Sequence, residues 1–155
     1  MKKIILTLAL VVSFAGVIQA QYADKAIGLR FGGGFGVGAE ISYQQDLAKD
    51  HRLEVDLGMN NWGFGLNGVY QWVWALPQLG DGFDWYAGVG AGLGSYKINN
   101  EGASNFSLGV LGQVGIEYKF NIPLTLSLDY RPEVLVSPSF NGGYDGICLS
   151  ARYRF

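Results

Sequence analysis

The feature that most constrains this chain is the alternation of apolar and polar side chains along its last segment. Ile147, Leu149, Ala151, Tyr153 and Phe155 alternate with Cys148, Ser150, Arg152 and Arg154. A period of two is that of a β-strand, whose successive side chains point to opposite faces. A strand with one apolar face is an aggregation edge unless the sheet closes, and this alternation with terminal aromatic residues is typical of a membrane barrel.

The same alternation recurs upstream and predicts seven further strands. They fall at residues 26–34, 37–44, 52–59, 62–74, 83–96, 106–120 and 124–136, separated by turns rich in Gly, Asn, Asp and Pro. Each is near the ~9–11 residues that cross a bilayer at a tilt. The sequence therefore predicts an all-β fold, an eight-stranded antiparallel transmembrane β-barrel whose interior is filled by side chains.

The first 20 residues have a different character. Met1-Lys2-Lys3 precedes an apolar run from Ile4 to Ile18, which is typical of a secretory signal peptide with cleavage after Ala20. A membrane anchor helix is the alternative, but the run is shorter than the ~20 apolar residues a spanning helix needs. We expect a signal peptide at residues 1–20 and one barrel domain at residues 21–155.

Charge and cysteine content exclude several functions. Removing Lys2 and Lys3 from 11 basic residues leaves 9 against 13 acidic ones, so the chain has no basic footprint for nucleic acid. Cys148 is the only cysteine, which excludes an intrachain disulfide and a cysteine-based metal site. We expect no metal, no cofactor and no nucleic-acid partner.

The two faces of the predicted strands differ in charge. The apolar face carries no Asp, Glu, Lys or Arg within the strand cores, as expected if lipid covers it, since a basic residue at the bilayer midplane costs ~2–4 kcal/mol. A soluble lipocalin-like barrel would have the opposite arrangement. Aromatic residues near both strand ends and a glycine-rich polar face favour the membrane barrel. The aromatic sets are Tyr43, Trp72, Trp74, Trp85, Phe120, Tyr153 and Phe155 at one end, and Phe31, Phe35, Trp62, Phe64 and Phe106 at the other.

The polar face predicts a network of charged side chains in the lumen, six basic and seven acidic. Its members are Arg30, Glu40, Arg52, Glu54, Asp56, Asp84, Glu117, Lys119, Asp129, Arg131, Glu133, Arg152 and Arg154. Pairing is the default because an unpaired buried charge is costly, so we expect an ion-paired plug rather than a polar pathway. Glycines such as Gly65 and Gly92 lie on the same face; they either widen the lumen or serve strand curvature and make room for Tyr86 and Tyr96.

Four segments of the chain resemble the small eight-stranded outer-membrane barrels of the OmpA/OmpX type, within the broad outer membrane protein β-barrel domain group. They are Asp84 to Gly92, Gly115 to Phe120, Leu126 to Pro132 and the last strand. Ala151, Tyr153 and Phe155 resemble the C-terminal assembly signal of such barrels. The resemblance implies an integral outer-membrane protein, surrounded by outer-membrane lipid and inserted by the barrel assembly machinery. It implies no specific activity.

We expect both termini in the periplasm, short external connections and a monomer. The favoured function is a non-enzymatic structural or interaction role with a charge-plugged lumen. The alternative is a narrow channel or small-ligand-binding barrel that uses the glycine-lined outer lumen. A lipid A-modifying enzyme is a third hypothesis, disfavoured because His51 is the only histidine and is predicted in a periplasmic turn beside Asp50, so we predict no catalytic residues.

Overall fold

A computed structural model describes residues 25–32, 38–60, 63–97, 104–137, 143–144 and 146–155. The described residues form ten β-strand segments: β1 (Lys25–Gly32), β2 (Ala39–Ala48), β3 (His51–Asn60), β4 (Gly63–Ala75), β5 (Phe83–Lys97), β6 (Ser104–Lys119), β7 (Leu124–Tyr130), β8 (Glu133–Ser137), β9 (Gly143–Tyr144) and β10 (Ile147–Arg154). No helix in this part of the chain has the length and apolarity to cross a bilayer.

The ten segments build eight barrel strands. β7 and β8 both pair with β6 and are two parts of one strand, interrupted at Arg131-Pro132; β9 and β10 likewise form the last strand. All pairings are antiparallel, the order runs β5-β4-β3-β2-β1-β10-β7-β6, and a β5–β6 pairing closes the ring. The predicted closed eight-stranded antiparallel barrel is confirmed.

The barrel is polar inside and apolar outside. Along β10, Cys148, Ser150 and Arg152 are buried, whereas Leu149 and Tyr153 are exposed on the outer surface. The same alternation holds in β1, β2, β4 and β7. Because side chains alternate strictly across a strand, each strand sends one parity inward and one outward.

Two local predictions are wrong. The turn predicted over residues 46–50 is shorter, because β2 continues to Ala48 through an irregular register and only Lys49 and Asp50 turn. His51, predicted in that turn, is instead the first residue of β3, half-buried, with its ring 5.7 Å from that of Tyr70. The predicted signal peptide, Phe35 and Trp62 lie outside the described residues.

The barrel has two ends, and we name them by what they carry. The termini end holds Lys25, Phe155 and the turns at residues 49–50, 76–82 and 120–123; the loop end holds the connections β1–β2, β3–β4, β5–β6 and β8–β9. Aromatic rings pack against each other on the outer surface at the termini end. Trp74 stacks on Trp85 at 4.4 Å between centroids, and Tyr118 lies 4.6 Å from Phe83 and 4.7 Å from Phe120.

Candidate functional site in the barrel lumen

The inward side chains of all eight strands meet along the barrel axis, where they form the core of the molecule. Most of the buried residues in this core are polar or charged, including fully buried Arg30, Arg131, Arg152 and Glu54. Charges buried in this way are costly unless they are paired and hydrogen-bonded. The function of the lumen therefore depends on which partner each buried charge binds.

Glu54 is the centre of the middle layer. It accepts hydrogen bonds from Arg152 Nη2 at 2.9 Å, Gln44 Nε2 at 2.6 Å and Gln113 Nε2 at 3.1 Å, and Arg30 Nη1 lies 3.5 Å away. These partners come from strands on different sides of the barrel. One carboxylate thus joins opposite walls of the cylinder.

Arg30 binds Asp129 by two parallel hydrogen bonds of 2.5 and 2.7 Å. Tyr86, which is completely buried, donates its hydroxyl to the same carboxylate at 2.9 Å. Bidentate arginine–carboxylate pairs of this kind are the strongest and most directional ion pairs in proteins. The pair fixes β1 against β7, the two strands that flank β10.

Arg52 completes the middle layer toward the termini end. It forms an ion pair with Glu117 at 2.7 Å, donates from Nε to Gln71, and lies 4.7 Å above the ring of Tyr86. We call these side chains the central cluster. Its charged members are Arg30, Arg52, Arg152, Glu54, Glu117 and Asp129, three of each sign.

A second group lies toward the loop end. Arg131 donates to Asp56 at 2.6 Å and to both oxygens of Glu40 at 2.6 and 2.8 Å, and Asn67 Nδ2 donates to Glu40 at 3.4 Å. Glu133 is two residues beyond Arg131 on the same strand and faces the same lumen. We call these five residues the loop-end cluster.

Three predicted network members lie at the termini end. Lys119, about a third exposed, forms an ion pair with Asp84 at 2.8 Å and lies 3.5 Å from Glu117. Arg154 does not join an acidic residue in the described part of the chain; its Nη2 donates to the carbonyls of Phe120 and Ile122 at 2.6 and 2.9 Å. The assembly-signal residues Ala151, Tyr153 and Phe155 are exposed on the outer surface and at the chain end.

Uncharged polar side chains also belong to the lumen network. The sequence placed them on the inward face of the strands, but the predicted network contained charged residues only. Gln71 and Gln113 hydrogen-bond each other at 2.6 Å and connect Arg52 to Glu54, and Ser42 and Ser127 accept from Arg152 at 2.9 and 2.8 Å. Their inward parity was the available signal. Which charge each would meet depends on strand stagger around the barrel, which alternation does not encode.

Several inward glycines serve close packing. A Cβ on Gly115 would lie 2.6 Å from the ring of Tyr86 and 2.5 Å from Cβ of Asp129, so this glycine makes room for the tyrosine. A Cβ on Gly90 would collide with the backbone of Gly68 and Val69 on the neighbouring strand. These two glycines fit the alternative in which inward glycines accommodate neighbours and curvature.

Within the described residues, no group of three or more His, Cys, Asp or Glu side chains is arranged to hold a metal ion. His51 lies at the termini end on the outward parity of β3, away from the lumen charges. Cys148 is buried in the lumen wall. The described lumen side chains are joined mainly by ion pairs and hydrogen bonds.

Comparison with known proteins decides the family. Residues 10–155 match the family described as Outer membrane protein beta-barrel domain. The chain belongs to this family. It is therefore an integral outer-membrane β-barrel protein, and its outward apolar side chains face lipid. No curated protein sequence is significantly similar to it.

Solved structures of similar fold are also outer-membrane barrels or surface proteins. The N-terminal β-barrel domain of Pseudomonas aeruginosa OprF aligns with a TM-score of 0.64 at 13% identity, over 86% of this chain and 100% of that one. Neisserial surface protein A aligns at 0.58 and 15%, over 86% and 96%. Yersinia pestis Ail in a phospholipid nanodisc aligns at 0.53 and 14%, over 86% and 100%. At these identities the likeness shows the fold of this barrel domain alone.

Proposed function

We propose that this barrel is a non-enzymatic outer-membrane protein with a structural or interaction role, and that its central cluster closes the lumen to ions. One observation carries the second part: six buried charges, three of each sign, bridge opposite walls through Glu54 and Asp129. Moving an ion through this layer requires several short ion pairs to break at once. Each such pair is costly to break in a buried setting.

Conductance in planar lipid bilayers tests the closed lumen. We expect no steady current from the inserted wild-type protein, with a water-filled porin inserted in the same membrane system as the positive control. Folding of the protein added to the bilayer is checked independently by the faster migration of the unboiled barrel on a gel. A steady unit current from wild-type barrels in membranes free of other pores would refute the plug.

The proposed orientation places both termini in the periplasm, after removal of residues 1–20 as a signal peptide. An export signal delivers the amino end of the mature chain to that compartment, and the even strand number brings the carboxyl end back to the same side. In this proposal the barrel assembly machinery reads Ala151, Tyr153 and Phe155, and the mature barrel is a monomer in lipid. What supports this part of the proposal is that Ala151 and Tyr153 share the outward parity of the last strand.

A narrow channel or small-ligand-binding barrel is the second candidate, and one observation favours it. The carboxylate of Glu133 lies over Gly109 at the loop end, beside the glycine-rich part of the lumen, and has no hydrogen-bond partner among the described residues. A lipid A-modifying role is the least supported, because the chain has a single histidine and the structure places His51 at the termini end, outside the lumen clusters.

A further inference from the structure

Glu133 is the one acidic member of the predicted lumen network without an ion-pair partner in the described part of the chain. Its side chain is 1% exposed, yet neither Oε1 nor Oε2 accepts a hydrogen bond from a described residue. An ionised carboxylate in this condition is among the most costly groups a folded protein can contain. Something of positive charge must compensate it, or it must be uncharged.

The surroundings of Glu133 leave it beside side-chain-free positions. A Cβ placed on Gly109 would lie 2.8 Å from Oε1 of Glu133, so the carboxylate fills the space that this glycine leaves. Gly109 pairs with Gly92 on β5, and Gly92 pairs with Asn67 on β4. Between Glu133 and Asn67, two adjacent strands therefore contribute no side chain to this level of the lumen.

The far wall of this level presents further oxygens without donors. Asn67 and Asp56 are both fully buried and are cross-strand partners. Among the residues that the structure describes, none donates a hydrogen bond to Oδ1 of Asn67 or to Oδ1 of Asp56. Both side chains are fixed by their other atoms, since Asn67 Nδ2 donates to Glu40 and Asp56 Oδ2 binds Arg131.

The charge of the loop-end cluster is unbalanced. Glu40, Asp56 and Glu133 face a single cation of the cluster, Arg131, whose Nη1 and Nη2 are already bound to Asp56 and Glu40. Arg30 approaches Glu40 through Nε at 3.3 Å, but its Nη atoms are bound to Asp129 in the central cluster. The cluster therefore has three carboxyl groups and one guanidinium, and Glu133 is the carboxyl group that forms no ion pair with a described residue.

We propose that the loop-end cluster binds a hard cation, with Glu133 as its charged ligand and the free oxygens of Asn67 and Asp56 on the opposite side. Carboxylate and amide oxygens are the ligands that Ca²⁺ and Mg²⁺ take in proteins. Since no three acidic side chains in the described residues converge on one point, the cation keeps part of its hydration shell and reaches some ligands through water. The site lies on the loop-end side of the central cluster, so it does not depend on whether that cluster seals the barrel.

Urea unfolding of the refolded full chain in lipid vesicles, with and without CaCl₂ or MgCl₂, tests the site. A ligand that binds only the folded state raises the unfolding midpoint with its concentration. We expect the wild-type midpoint to rise with the divalent cation and to stay constant with choline chloride at equal ionic strength. Glu133→Gln removes the charge at nearly constant volume, and its midpoint is expected not to respond to the divalent cation.

Asp84→Asn is the matched control, because it removes one acidic charge at the termini end and is expected to keep the wild-type response. With EDTA present, Glu133→Gln is expected to be at least as stable as the wild type, since it deletes an uncompensated buried charge. A wild-type midpoint that neither cation raises would mean that Glu133 is neutralised by a proton, and the proposal would be wrong. An equal rise in wild type and Glu133→Gln would place the cation elsewhere and also overturn it.

Discussion

Replacing Glu54 by Gln tests the energetic role of the central cluster. Within the described residues, Glu54 is the only acidic group within 4 Å of Arg152, at 2.9 Å, whereas Arg30 would keep its two bonds to Asp129. The change therefore leaves one fully buried guanidinium, that of Arg152, with uncharged hydrogen-bond partners alone. Breaking a buried pair by removing one partner costs about 3–5 kcal/mol, so we expect a loss of that size in the free energy of unfolding.

The assay is equilibrium urea unfolding in lipid vesicles, followed by tryptophan fluorescence and by the gel mobility of the unboiled protein, with the free energy obtained by linear extrapolation. Asp84→Asn is the matched acid-to-amide control. Its partner Lys119 is 36% exposed, so this pair is worth about 0–1 kcal/mol. The double variant Glu54→Gln/Arg152→Met removes both charges and is expected to be more stable than Glu54→Gln alone. A loss below about 1 kcal/mol in Glu54→Gln, or no recovery in the double variant, would refute the buried-pair account.

Two further predictions concern packing and orientation. Gly115→Ala is expected to destabilise the barrel by about 1–3 kcal/mol in the same urea assay, because its Cβ would overlap the Tyr86 ring. Gly68→Ala is the control, since its Cβ would have open space around it, and its effect on stability is expected to be close to neutral. Equal effects of the two substitutions would contradict the packing argument. The orientation is tested on intact cells with a membrane-impermeant maleimide, in a Cys148→Ser background. Asp81→Cys in the termini-end turn is expected to react only after the outer membrane is permeabilised, whereas Asn100→Cys in the β5–β6 connection is expected to react at once. The reverse pattern would mean that the proposed orientation is inverted.

Alternation along the chain was sufficient to predict the barrel, because only one parity of each strand can face lipid. The odd residues of β10 and the even residues of β6 both obey it, even though β6 includes an inward leucine, Leu111. The same pattern did not predict the interruption of the seventh strand. There Pro132 has no amide hydrogen to give to the ladder, and Arg131 donates its amide to Gly146 instead.

Pairing inside the lumen was less accessible from the sequence. Parity placed Arg30, Glu54 and Asp129 on one face, but their meeting depends on the stagger of β1, β3 and β7 around the ring. Arg154 has the same parity and yet bonds to the backbone of the turn after β6, because it lies at the very end of its strand. Whether two inward charges form an ion pair thus depends on side-chain length and on their positions along the barrel axis, and not on polarity alone.

The seam between β1 and β10 has a consequence for biogenesis. Lys25 and Phe155 exchange backbone hydrogen bonds of 3.2 and 2.8 Å, so the first and last described residues of the chain hold the ring shut. Until β10 is in place, β1 and β7 each present an unpaired row of amides and carbonyls, which hydrocarbon does not tolerate. A chain without β10 would therefore leave both rows unpaired in hydrocarbon, so closure of the barrel in the bilayer requires residues 147–154.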